Sequence, residues 1–146
     1  MASLQSQTEM LFYDGDCGLC HRTVKFVLRH DRKGARGRAG YAFRLAPLQG
    51  ATFAAMVPAG VRAELPDSLV VRTSDGALLA RSAAVIHIGR RLGGAWAGLA
   101  RAAELVPRGV RDAAYDLVAR VRHKLFARPE SACPVPPEEW RDRFEP

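Results

Sequence analysis

The stretch Tyr13-Asp14-Gly15-Asp16-Cys17-Gly18-Leu19-Cys20 constrains this chain more than any other. It follows a short apolar run, Met10-Leu11-Phe12-Tyr13, that reads as a strand, and it passes directly into a helical pattern. Two cysteines three positions apart at the first turn of a helix can close a disulfide with little backbone movement. The outer thiol also sits where unpaired backbone N–H groups and the helix dipole stabilise a thiolate, the reactive species in thiol–disulfide exchange. The expectation is therefore dithiol chemistry just past the carboxyl end of a strand.

The remaining composition bounds the frame. At 146 residues, 48% of them hydrophobic, the chain can bury most of its unfolded surface as one domain. We expect a polar N-terminus over 1–9, a domain over 10–128, and an extended tail over 129–146 that lies back on it. The first residues lack the basic start and apolar run of a secretory signal, and no stretch approaches a spanning helix, so the expected address is cytoplasmic. Three cysteines do not make a disulfide framework; in a reducing compartment a C-x-x-C pair reads as redox-active or metal-binding.

The net charge of +7 is concentrated. Between Arg81 and Arg128 ten basic residues face three acidic ones, Glu104, Asp112 and Asp116, which suits acidic partners or, as a minority reading, an anionic surface. Of the 22 basic residues 19 are Arg, a bias that genome composition alone produces, and no nucleic-acid-binding signature accompanies it. Nucleic acid is therefore not an expected partner.

Along the chain, Cys20, Val24, Val27 and Leu28 recur on one helical face, with Arg22, Lys25, Arg29 and Arg32 on another. This predicts an amphipathic helix that buries Cys20 and ends near Gly34. A half-buried strand follows over Tyr41 to Leu45, stopped by Pro47, then a short helix over Thr52 to Val57 closed by Pro58-Ala59-Gly60. Ser68 to Arg72 and Ala77 to Arg81 flank Thr73-Ser74-Asp75-Gly76, a hairpin turn signal. Ser82 is the expected cap of a helix over Ala83 to Leu92, ended by Gly93-Gly94. Two more helices are expected at Ala95 to Val106 and Val110 to Phe126, separated at Val106-Pro107. Their stripes, Trp96, Leu99, Ala100, Ala103 and Ala114, Leu117, Val118, Val121, Leu125, read as core. A βαβ unit, a short helix, then ββα is the thioredoxin-like α/β order, here with additional C-terminal helices.

Within that frame Cys17 is the expected attacking thiolate and Cys20 the resolving thiol, with Cys17 having the lower pKa. His21, Arg22 and Lys25 favour the thiolate, whereas Asp14 and Asp16 oppose it. Two alternatives use the same residues. Zinc needs four ligands, and the chain offers one close pair plus Cys133 and scattered histidines. Cys17-Gly18-Leu19-Cys20-His21 also matches the c-type haem attachment pattern, which normally goes with export. Neither is favoured, and no cofactor is expected. Cys133 reads as a structural thiol rather than a third redox centre. Asp14 is either a proton acceptor for the dithiol or a capping residue. Pro66 is either the cis-proline of thioredoxin-like folds or an ordinary loop proline, with Asp67 or Ser68 then in that place.

Taken together these segments resemble the DCC family of thiol–disulfide oxidoreductases, named for a D-x-x-C-x-x-C motif that Asp14, Cys17 and Cys20 match in order and spacing. The likeness continues through Phe26 to Asp31, Phe43 to Gln49, the hairpin from Asp67, and Tyr115 to Arg120 with Cys133 following. It implies a thioredoxin-like fold, Cys17 and Cys20 as the redox pair, Asp14 as the third motif residue, and thiol or disulfide compounds as partners. Val121 and His123 depart from the polar and aromatic residues expected in the last-helix motif. A non-catalytic module that docks partners through the basic segment is the alternative from another class.

Overall fold

The computed structural model describes residues 8–14, 18–31, 40–65, 69–125 and 142–145, with 18–21 and 122–125 described by backbone alone. The apolar run after Thr8 forms strand β1 (Glu9–Tyr13), and the segment beyond the motif forms helix α1 (Gly18–His30). Then come β2 (Phe43–Pro47), α2 (Ala51–Met56), α3 (Ala59–Glu64), β3 (Val70–Arg72) and β4 (Leu78–Ala80). Three helices close the chain: α4 (Arg81–Leu92), α5 (Gly94–Ala103) and α6 (Arg108–Leu125).

The four strands form one mixed sheet in the order β2-β1-β3-β4. β1 runs parallel to β2 and antiparallel to β3, so Leu11 lies opposite Leu45 on one side and Val71 on the other. This is the thioredoxin-like arrangement.

Strand alternation sends successive side chains to opposite faces. Leu11, Phe43, Leu45 and Val71 therefore meet Val24, Val27 and Leu28 of α1 and Ala84, Ile88 and Leu92 of α4. Phe12, Ala46 and Val70 go to the other face, where Phe53 of α2 and Val57 cover them. Phe12 and Phe53 meet at 4.8 Å between centroids and tilted by 60°, a favourable aromatic geometry.

The hairpin turns where the Asp-Gly pair predicts. Gly76 has φ of +90°, a region costly for other residues, and Thr73 N–H donates to the Ala77 carbonyl at 2.8 Å. Gly93 and Gly94, both at positive φ, likewise end α4 and turn the chain into α5.

Three expectations need correction. Pro58-Ala59-Gly60 does more than follow the end of α2 at Met56: it also opens a further short helix, with Pro58 as the N-cap of α3, where its missing N–H costs nothing. Ser82 does not cap α4, whose N-cap is Ala80; it lies in the first turn and donates its hydroxyl to Asp112 of α6. The stripes of α5 and α6 are core only in part. Ala97 and Ala100 are buried against α4, but Leu99, Leu117 and Val118 are 60%, 61% and 45% exposed. These helices are amphipathic, and among the described residues no further element packs over that face, so periodicity identified a face without fixing what it faces.

The chain returns to the sheet at its end. Phe144 bridges to Leu45 in parallel, and Glu145 N–H donates to the Leu45 carbonyl at 2.8 Å. Arg143 is buried and reaches Asp31 at 2.6 Å and the Phe43 carbonyl at 3.0 Å, with its guanidinium 4.0 Å from the centre of the Tyr41 ring. Asp31 accepts from Ala42 and Phe43 N–H at 2.9 and 3.0 Å as well. Burial pulls the Arg143 guanidinium below its ordinary value, while the Asp31 carboxylate opposes that shift.

Candidate dithiol site

Asp14, the first residue of the motif, directly follows β1, and Gly18 to Cys20, its last three, open α1. Because β1 and β2 are parallel, their carboxyl ends lie side by side, with Tyr13 opposite Pro47. Leu48 N–H donates to the Tyr13 carbonyl at 2.8 Å, extending the pairing one step past the strand. That step brings Gln49 beside Asp14, and the Gln49 Nε2 donates to Asp14 Oδ1 at 3.0 Å.

Asp14 is 4% exposed, and a carboxylate so deeply buried is costly without donors. A hydrogen bond to a charged group contributes about 1.5–3 kcal/mol net. Gln49 thus fixes a carboxylate oxygen at the carboxyl end of the sheet, one residue ahead of the loop that leads to α1.

Cys20 lies in the first turn of α1 by its backbone. The first turn of a helix presents N–H groups without intrahelical acceptors, and these with the helix dipole favour negative charge. Cys17 and Cys133, together with Pro66, Asp67 and Ser68, lie outside the described residues. Beyond that turn Arg22, Lys25 and Arg29 face solvent, while Val24, Val27 and Leu28 anchor the helix to the sheet. Tyr13, the residue before Asp14, meets Phe144 edge-on at 6.3 Å, so the end of the chain braces the strand that carries the motif.

The other buried charges belong to the opposite end of β1. Glu9 accepts from Ser74 N–H at 3.2 Å and from His87 Nε2 at 2.5 Å, with Arg91 Nε at 3.7 Å. Burial pushes its carboxyl up, but the His87 and Ser74 hydrogen bonds and the nearby His87 and Arg91 charges outweigh that and hold it below the ordinary 4.5. Four residue steps of strand, about 13 Å, separate Glu9 from Tyr13, so this cluster ties α4 to the sheet at the end of β1 away from Asp14.

Sequence reading missed two partners. Gln49 was visible only as the end of a familiar segment; the signal that locates it is register, since parallel strands ending at Tyr13 and Pro47 bring the residues after them together. Arg143 carried no signal, because its partner Asp31 is remote in sequence and the pair forms only once residues 142–145 lie on β2. Among the described residues no three His, Cys, Asp or Glu side chains gather as a metal site, and no helix is long and apolar enough to cross a membrane.

Comparison with known proteins fits this geometry. Residues 11–128 match the family described as DCC1-like thiol-disulfide oxidoreductase. The chain belongs to that family. Like this chain, the family-matched region takes in the sheet, the motif and all three C-terminal helices. The chain is 31% identical over 147 residues to the uncharacterized protein YuxK of Bacillus subtilis, covering 100% of both. It is 29% identical over 127 residues to the chloroplastic DCC family protein At1g52590 of Arabidopsis thaliana, covering 87% of this chain and 70% of that one. No solved structure matches it.

Proposed function

We propose that the chain exchanges a Cys17–Cys20 dithiol with disulfides of proteins or small molecules. The Cys17 thiolate attacks one sulfur of the substrate disulfide, forming a mixed disulfide and expelling the first substrate thiolate, which takes a proton. Cys20, deprotonated as it attacks, then displaces the second substrate thiolate and closes the Cys17–Cys20 disulfide. Two electrons and two protons pass to the substrate, and the reverse sequence returns them. No other cofactor is required.

The observation that carries this reading is the buried Asp14 carboxylate, held by Gln49 at the carboxyl end of β1, directly ahead of the C-x-x-C segment that enters α1. Asp14 is the group we assign to receive the Cys20 proton in the second step. Family membership supports the reaction type.

Trapping tests the order of attack. A Cys20→Ser variant is expected to accumulate a mixed disulfide at Cys17 with hydroxyethyl disulfide, resolved only by added thiol, whereas Cys17→Ser accumulates none. Trapping at Cys20 in the second variant and none at Cys17 in the first would overturn the assignment.

A further inference from the structure

The turn that follows β2 is held by its backbone and its apolar residues. Pairing of β1 with β2 ends at Tyr13 and Pro47, and Leu48 N–H reaches the Tyr13 carbonyl just beyond it. Gly50 N–H donates to the Pro47 carbonyl at 3.0 Å, closing a turn with Leu48 and Gln49 at its centre. Pro47 fixes its own φ, and the Leu48 side chain packs against the cluster of Phe12, Phe53 and Val57. None of these restraints is made by the Gln49 side chain.

Gln49 is exposed, yet its Nε2 donates at 3.0 Å to Oδ1 of Asp14, a residue only 4% exposed. A long side chain in solvent loses rotamer freedom to hold such a bond. The turn does not depend on that bond, so its consequence falls on the carboxylate. A donor aimed at one carboxylate oxygen favours the charged form and limits rotation of the group. A neutral amide does this without the pull of a cation, and the carboxylate keeps its basicity.

We propose that Gln49 is a positioning residue for the second step of exchange alone: it orients the Asp14 carboxylate as acceptor of the Cys20 proton and has no part in the first attack. The inference rests on the function proposed above. In the second step the Cys20 proton passes to the Asp14 carboxylate and the Cys20 sulfur bonds to the Cys17 sulfur. The bond from Cys17 to the substrate breaks, and its electron pair leaves on the substrate sulfur. Asp14 then gives the proton to that thiolate and is charged again for the next cycle. The first step makes no such demand, because Cys17 enters it as a thiolate. Gln49 therefore divides the two steps, which a residue that only held the turn would not do.

The test is a single-turnover reaction of the full chain with hydroxyethyl disulfide, quenched with acid and read by mass spectrometry over a range of pH. It follows the mixed disulfide at Cys17 and the closed Cys17–Cys20 disulfide separately. Gln49→Leu removes the donor; it is expected to leave the first step at the wild-type rate, to slow closure about tenfold at neutral pH, and to move the rise of closure with pH upward. Gln49→Lys keeps a donor of similar reach and adds a charge, so the same rise is expected to move downward. Opposite movements at one exposed position do not come from a loosened turn, and the direction for Gln49→Lys decides the matter even where Gln49→Leu fails to fold. A closure profile unmoved in both variants, a movement of the same sign in both, or equal slowing of the two steps would each overturn the proposal. A wild-type chain that forms no Cys17–Cys20 disulfide would sink the dithiol function and this role with it. A wild type that closes normally while both variants match it would remove Gln49 alone.

Discussion

The sheet with α1 and α4 is closed, whereas the face presented by α5 and α6 is open. In the first region Leu11, Phe43, Leu45 and Val71 are fully buried, and the charged groups that enter it are paired: Glu9 with His87 and Ser74, and Asp31 with Arg143 Nη2 and two backbone N–H groups. In the second, α5 is pinned to α4 by small residues while Leu99, Leu105 and Leu117 remain in solvent. The same amphipathic periodicity produces both. What differs is whether, among the described residues, a second layer covers the apolar side, and the difference separates residues kept for stability from residues available for contact.

Substitutions can break or sharpen that contrast. The largest expected effect is Arg143→Ala, which leaves Asp31 without its buried counter-charge and loosens residues 142–145 from β2; removing one partner of a buried pair costs about 3–5 kcal/mol. Urea unfolding measures it, and a change within error of wild type would mean that the terminal segment is not part of the closed core. Next, Leu11→Ala is expected to cost about 2–5 kcal/mol, against no more than about 0.5 kcal/mol for Leu117→Ser. Equal losses would erase the distinction between the regions.

Gly89 probes the seam between them. A Cβ there would sit 3.0 Å from the Ala100 Cβ and 3.2 Å from the Trp96 carbonyl, so Gly89→Val is expected to push α5 from α4 at a cost of about 1–3 kcal/mol. Differential scanning calorimetry would show a lowered melting temperature; an unchanged one would mean that α5 is not packed against α4 at that seam.

The smallest effect concerns pH. Glu9 has its carboxyl held below 4.5, so its contribution to stability is full above that value and is lost as pH falls through the lowered folded value. Glu9→Gln is therefore expected to be less stable than wild type at neutral pH, with a gap that narrows on acidification below 4.5. A gap that stays constant across that range would remove Glu9 from the electrostatic account.

Most of the closed region was legible in the sequence. Met10 to Tyr13, the Val24, Val27 and Leu28 stripe, the Asp75-Gly76 turn and the Gly93-Gly94 break each specify local structure, and their order specifies the topology. What was not legible depends on partners remote in sequence. Arg143 reads as a surface residue until residues 142–145 lie on β2, Gln49 acquires its role only through the β1–β2 register, and Ser82 looks like a cap until Asp112 is beside it. Leu99 and Leu117 read as core because a helical stripe records amphipathicity and says nothing about what lies opposite. Of the candidate site, Asp14 and the placement of the motif between β1 and α1 followed from local pattern; the hydrogen bond that holds Asp14 did not.

The most direct test of the central claim is a glutathione redox titration of the purified protein, with Cys17 and Cys20 read by alkylation and mass spectrometry and zinc measured on the same sample. A reversible two-electron transition confined to that pair, unchanged after chelator treatment, is the expected result. A pair that stays reduced across the whole titration, or that holds stoichiometric zinc, would contradict it.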